Sequence, residues 1–227
     1  MKILFQNFHG NKTVEKCRAV SGITYDMKKT CFNCGSTVEL TRDHIPPDNL
    51  FVPPLPNNLI TVDCCRPCNS GFSMDDEAFM IFASMTRERS ESGEWIWKKA
   101  LSASLKNSPK LKENIIKSLV EVKNPTTGEI MTGVTIPDKR VNNYLIRITK
   151  GLIRNFHPEL ETGNSRFKVI MLNKNTDVTN ALSKFIYDER GNGAFRFWRA
   201  FINNPTDLKS VWVYMFFYGI MFMVEEI

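Results

Sequence analysis

An α+β fold built around a metal-stapled strand, loop, strand, helix unit is predicted, and three observations predict it. Two Cys-x-x-Cys pairs, Cys31/Cys34 and Cys65/Cys68, bracket one segment, and four thiolates converging from two such knuckles are the ligand set of a tetrahedral Zn2+ site. Between them Pro46, Pro47, Pro53, Pro54 and Pro56 forbid helix, because each fixes φ, lacks an N–H and restricts its predecessor. Beyond the second knuckle, helical and strand-like apolar patterns alternate without internal repeat or low-complexity segment.

At 227 residues the chain has room for one ordinary domain or two small ones, and 42% hydrophobic with 24% charged residues is a globular composition. Its net charge of +6 and pI near 9.0 favour an anionic partner, nucleic acid foremost. The apolar run 211–224 is shorter than the ~18 residues a membrane span needs and contains Gly219, so a buried strand or hairpin is expected there, and no membrane partner. No signal peptide precedes the six cysteines, and four have metal-ligand spacing, which points to a reducing cytosol. Cys17 reads as an idle thiol. A Cys64/Cys68 pair is also tolerable to zinc, but Cys65/Cys68 repeats the first knuckle and is the expected pair.

In order along the chain, residues 1–8 read as a strand, His9 as a surface histidine at a turn, and residues 12–29 as a basic lead-in. Residues 36–41 read as a strand ending at Arg42-Asp43-His44. The proline-rich stretch is an ordered loop, and residues 59–62 form a second strand. Ser73 and Asp76 have N-cap spacing, and Ala78, Ile81, Phe82 and Met85 share one face, so a helix is expected over 73–89. Further helices are expected at 95–106 and 109–119, and a hairpin over 119–137 turns at Asn124–Gly128. A long amphipathic helix capped by Asp138 should end by His157-Pro158. A strand at 166–172, a helix at 177–187, a strand at 194–201 and one or two strands over 211–224 complete an α+β C-terminal region. Three segments result: residues 1–27, a core at 28–90, and residues 91–227, which select substrate or partner.

Two features of the last segment invite a functional reading. Lys139, Arg140, Arg147, Lys150 and Arg154 lie along the long helix as either a phosphate-binding stripe or a solvated face, the latter expected. Phe195, Phe197, Trp198 and Phe201 have the chemistry to stack on bases but are expected in the core.

The chemistry concentrates at Asp43-His44. Hydrolysis of a phosphodiester needs a base for water and a cation on the scissile phosphate. Histidine is the natural base at neutral pH. Asp43, its strand neighbour, faces the other side of the backbone and offers a hard oxygen to Mg2+ or Mn2+, with Asn69 supplying a second.

The joint pattern, Cys-x-x-Cys, Asp43-His44-Ile-Pro-Pro, Asn58-Leu-Ile-Thr-Val and Cys-x-x-Cys-Asn69, resembles the zinc-containing branch of the HNH endonucleases, the ββα-metal nucleases, over roughly residues 28–90. The resemblance implies a treble-clef-like, zinc-stapled ββα core. It implies His44 as general base, Asp43 and Asn69 as ligands of one catalytic Mg2+ or Mn2+, and Asn58 as the residue that pins the loop and orients the base, a role Asn57 can also fill. It implies hydrolysis of nucleic acid, DNA before RNA, to 5′-phosphate and 3′-hydroxyl ends, in the cytoplasm of a bacterial or phage-infected cell, as in phage development or bacterial defence. The sequence departs from the family at the final motif position, Asn rather than His, which some members share. Asn69 precedes the helix expected from Ser73 and so is placed in a turn. A lysine common after the motif is missing, and Arg42 or Arg66 takes its place on phosphate. Double-strand cleavage would call for a homodimer, with residues 211–224 as the place to look for its interface. The alternative is a zinc-stapled nucleic-acid-binding or interaction module without catalysis.

Overall fold

The computed structural model describes residues 29–85, 90–107, 109–124, 126–135, 138–160, 162–172, 178–204 and 207–227. The expected strand at 1–8, His9, Cys17 and residues 12–28 lie outside them.

The described residues open on the first knuckle. Gly35 takes φ +75°, which a glycine adopts readily, and its N–H reaches the Cys31 carbonyl at 2.9 Å, folding Cys31 and Cys34 to one side. Strands β1 (Leu40–Ile45) and β2 (Ile60–Cys65) then pair antiparallel, Leu40 opposite Cys65 and Ile45 opposite Ile60. Asp43, Ile45, Ile60, Val62 and Cys64 face inward, whereas Arg42, His44, Thr61 and Asp63 face out. The first strand therefore runs through Arg-Asp-His instead of stopping before it. Its inward alternation includes a carboxylate, Asp43.

The proline-rich connection holds one 3₁₀ turn, Asp48–Leu50, and no α-helix, and buried Leu50 and Phe51 anchor it. Helix α1 (Arg66–Gly71) follows β2 at once, with Pro67 in its first turn, where the missing N–H has no helical partner to lose. Asn69 is thus helical, not in a turn. Helix α2 (Ser73–Ser84) continues from it through a helical Phe72. Ser73 consequently does not cap: its hydroxyl donates to the Ser70 carbonyl at 3.1 Å, because the N–H groups it would have served already belong to a turn of helix.

Helices α3 (Glu91–Asn107) and α4 (Pro109–Ser118) lead to the hairpin β3 (Leu119–Lys123) and β4 (Ile130–Val134), turned by Asn124, whose side-chain oxygen accepts the N–H groups of Thr126 and Thr127. Helix α5 (Asp138–Phe156) is central. Strands β5 (Phe167–Leu172), β6 (Ile186–Arg190), β7 (Phe195–Asn204), β8 (Asp207–Phe216) and β9 (Ile220–Glu226) form one antiparallel sheet in the order β5-β9-β8-β7-β6. The helix expected at 177–187 shrinks to α6 (Thr179–Leu182), and Ile186 and Tyr187 open β6. The reason is the Gly191-Asn192-Gly193 turn, all three at positive φ, which returns β6 onto β7 and pairs Glu189 with Arg196 at 2.9 Å.

One continuous core joins these parts, the β3–β4 hairpin excepted. Helix α5 lies between the β1–β2 hairpin and the sheet. Toward the sheet, Thr149 shares a 2.7 Å hydrogen bond with the buried Tyr214 hydroxyl; toward α2, Tyr144 stacks on Phe79 with ring centres 3.8 Å apart. Toward the hairpin, Gly151 sits so close to Ile45 that a Cβ there would come within 2.6 Å of its side chain. Phe195, Phe197, Trp212, Tyr214, Phe216 and Phe222 fill the sheet's inner face, so of the β7 aromatics expected in the core Phe195 and Phe197 are there, Phe201 packs half-buried against it, and Trp198 lies half-buried on the opposite face beside Tyr187. No helix among the described residues is long and apolar enough to cross a membrane.

Candidate functional site

Cys31, Cys34, Cys65 and Cys68 bring their sulfurs to within 4.8 Å of one another, close enough to bind a metal such as zinc. The Cys34 and Cys65 sulfurs are 3.6 Å apart, against the separation of about 3.8 Å that a tetrahedron with 2.3 Å metal–sulfur bonds requires. Asn33 donates its side-chain amide to the Cys68 sulfur at 3.4 Å, an outer contact that orients the ligand. Burial pushes the Cys31 thiol up, but backbone N–H groups from Cys65, Cys34 and Asn33 outweigh it and bring the thiol down to about 6, so this sulfur is poised as a thiolate. Cys64 behaves oppositely. It is fully buried on the hairpin's inner face, where burial with the neighbouring Cys31 and Asp43 pushes its thiol far up, and it is not one of the four cysteines whose sulfurs all lie within 4.8 Å of one another.

Behind the hairpin lies an ionic cluster that nothing local in the sequence announces. Arg147 of α5, 3% exposed, places one guanidinium nitrogen 2.6 Å from Asp76 of α2 and another 3.8 Å from Asp43 of β1, and stacks over Phe72 at 4.5 Å. The Asp43 Oδ2 and Asp76 Oδ1 atoms are buried without an aligned hydrogen bond, as is the Tyr144 hydroxyl. Burial pushes the Asp43 carboxyl up against the opposing pull of Arg147 and His44, and pushes Asp76 up to about 6 against that of Arg147. The cationic residues of α5 are therefore neither a phosphate stripe nor a solvated face as a set. Arg147 is interior, Arg140 pairs with Asp75 at 3.3 Å, and Arg154 donates to Thr30 at 2.8 Å, all three holding α5 to the unit that carries the four cysteines.

The Asp76 shift sets a pH dependence. A carboxyl raised from 3.8 to about 6 in the fold binds its proton more tightly there than in the unfolded chain, so its stabilising contribution is complete below its unfolded pKa and vanishes as pH rises through about 6. The unfolding free energy of wild type minus that of Asp76→Asn should fall by on the order of 1 to 3 kcal/mol from pH 4.5 to 7.5. Taking the difference cancels the opposing proton competition at the thiolates. Urea titrations of both proteins at each pH provide the check, and a flat or rising difference would contradict it.

The remaining expected site residues surround this cluster. His44, on the outward face, is about one-third exposed, and its Nδ1 lies 4.0 Å from a carboxylate oxygen of Asp48. Asp48 was missed, although it stands four residues past His44 across the Ile45-Pro46-Pro47 corner, which returns its side chain to the ring. Asn69 donates its amide to the Thr41 hydroxyl at 3.1 Å, and Thr41 is two residues from Asp43 on one strand face, so Asn69 and Asp43 share a side of the hairpin. Asn58 donates to the Glu189 carbonyl of β6 at 3.3 Å and thereby ties the proline-rich loop to the sheet. Arg42 is occupied across the hairpin, with Asp63 at 3.0 Å and the Thr61 carbonyl at 2.8 Å, whereas Arg66 is exposed at the start of α1. Compared with known proteins, the chain matches no family model, no curated protein and no solved structure.

Proposed function

We propose that this chain is an HNH-type, metal-dependent endonuclease in which the four-cysteine site holds a structural Zn2+. The observation that carries the reading is the antiparallel hairpin running directly into α1, with Asp43-His44 on its first strand and Asn69 on the helix, brought to the same strand through Thr41. That is the strand, strand, helix order the resemblance implies.

His44 is the general base. Asp48 flanks Nδ1, which leaves Nε2 as the nitrogen that takes the proton from water. Asp43 and Asn69 would hold a Mg2+ or Mn2+. The fit rests on the donors: Asp43 has a buried oxygen without a hydrogen bond, and Asn69, its nitrogen bonded to Thr41, retains its amide oxygen as a hard donor. Such an ion, when bound, supplies charge stabilisation at the scissile phosphate and leaving oxygen. Arg147, drawn 2.6 Å from Asp76, stands farther from Asp43 and so leaves that carboxylate a lone pair to offer. Asn58 keeps the loop that carries Asp48 in place, and Arg66 is the exposed cation beside the second knuckle for phosphate. Nucleic acid, DNA before RNA, is the substrate.

A second reading has its own observation. Asp43 is 7% exposed and faces Arg147, as a purely structural aspartate would. In that case the chain is a zinc-stapled nucleic-acid-binding module. The discriminating experiment is cleavage of plasmid and single-stranded DNA and RNA with Mg2+, Mn2+ or EDTA, on wild type beside His44→Ala. The nuclease should nick in a metal-dependent way and lose roughly 10²- to 10⁴-fold in rate in the variant, with fold and zinc content unchanged. Binding without cleavage in every condition, unaffected by the substitution, would establish the module instead.

A further inference from the structure

A groove of about 390 Å3 runs between the proline-rich loop and α3, lined among others by Asp48, Phe51, Leu55, Trp95, Ile96 and Lys99. Its floor is hydrophobic core, Phe51 and Ile96 being 3% and 1% exposed, while Leu55 and Trp95 on its walls are 43% and 36% exposed. Lys99, one helical turn beyond Trp95, holds its ammonium 4.6 Å from the indole centre, whereas neighbouring Lys98 is paired with Glu94 at 3.4 Å. At the groove's other end stands Asp48, the residue beside His44. The groove thus adjoins the face of the hairpin that carries His44.

We propose that this groove seats one unstacked base of the nucleic-acid substrate, with Trp95 as the stacking platform and Lys99 as the contact to the flanking phosphate. The proposal rests on the nuclease reading and names a substrate requirement for it: a nucleotide next to the cleavage point must be single-stranded or turned out of a duplex. Three features favour a nucleotide over an apolar peptide. The exposed wall is a flat indole, which accepts any base on its face once Lys99 turns from the ring to the phosphate. The cation over that ring, in a chain of net charge +6, matches a phosphate. The Asp48 carboxylate in the groove's lining offers an acceptor to a base amino group. The volume also suits one base and not the several anchor side chains of a docked helix.

The test uses the full chain with a single-stranded oligonucleotide carrying one 2-aminopurine, without divalent ion for binding and with it for kinetics, on wild type, Trp95→Ala, Trp95→Phe and Lys99→Ala. Wild type should quench the 2-aminopurine. Trp95→Ala should lose the quench, bind roughly tenfold more weakly, about the effect of one base–aromatic stack, and raise KM with little change in kcat. Trp95→Phe should recover most of the loss, which a folding defect would not. Lys99→Ala should bind less tightly and show a shallower salt dependence. If Trp95→Ala binds and quenches as wild type does while His44→Ala abolishes cleavage, the groove proposal fails and the nuclease reading stands. If wild type cleaves nothing yet binds in a Trp95-dependent way, the base subsite stands and the nuclease reading falls. An apolar peptide that binds at Trp95, with no quench by any oligonucleotide, overturns the subsite.

Discussion

Cys68→Ser should release the bound metal and unfold the knuckle end of the protein, while Cys64→Ala should keep one metal per chain. The four sulfurs that converge belong to Cys31, Cys34, Cys65 and Cys68, and they join the chain before β1 to the start of α1. Cysteine-rich zinc sites contribute roughly 10 to 16 kcal/mol of apparent binding free energy, comparable with or above the ~5 to 15 kcal/mol stability of a whole domain. Losing one thiolate therefore threatens the fold itself, and Cys31, Phe32, Cys64 and Cys65, all in the shared core, would lose their packing together. Cys64→Ala removes one buried sulfur and leaves the quartet intact. Metal content by elemental analysis and near-UV circular dichroism, before and after chelation, decide the matter. Loss of metal in Cys64→Ala with retention in Cys65→Ala would exchange the two cysteines' roles.

Arg147→Met should destabilise the protein by about 3 to 5 kcal/mol at neutral pH, more than a typical core substitution. The methionine fills much of the space but leaves Asp43 and Asp76, whose side chains are 9% and 14% exposed, facing each other's charge without a cation. Both carboxyls are already pushed up by burial, so the loss should shrink as the pH is lowered and they protonate. Adding Asp43→Asn and Asp76→Asn to Arg147→Met should recover part of the loss, since neutral amides have no buried charge to balance. Urea titrations across this set, at pH 5.5 and 7.5, supply the values. An Arg147→Met protein as stable as wild type would mean the cluster is solvated.

The two knuckles were legible because ligand spacing is a local property, and the same spacing separated Cys65 from Cys64. The β3–β4 hairpin, α5 and the last two strands were legible for a similar reason: Asn124-Pro-Thr-Thr-Gly128 and the apolar periodicities act within a few residues, although Asp138 is the first residue of α5 and not its cap. What stayed hidden depends on partners distant along the chain. Asp43 looked available to solvent because Arg147, which faces it, lies on α5. Arg147 in turn looked like one cation of a surface set, since nothing in the helix's own pattern distinguishes it from Lys139. Strand β6 was concealed by an apolar spacing that resembles a helix from Val178 to Tyr187, although the Gly191-Asn192-Gly193 turn was there to be read. The aromatics weighed for stacking were those of β7, expected in the core, of which Phe195 and Phe197 are interior, while Trp95, exposed on α3, was passed over.

The near contact of Gly151 with Ile45 has a bearing on how this protein can be taken apart. A helix without a side chain at that point serves as the lid of the hairpin, and it is encoded after the whole of α3, α4 and the β3–β4 hairpin. The four-cysteine unit is therefore not a portable cassette: cut after α2, it would present Ile45, Val62 and Phe79 bare, and Asp43 with no counter-charge. The intervening β3–β4 arm is the opposite case, solvent-facing along most of both strands, so it is the place where the chain can be shortened, lengthened or replaced without disturbing the lid.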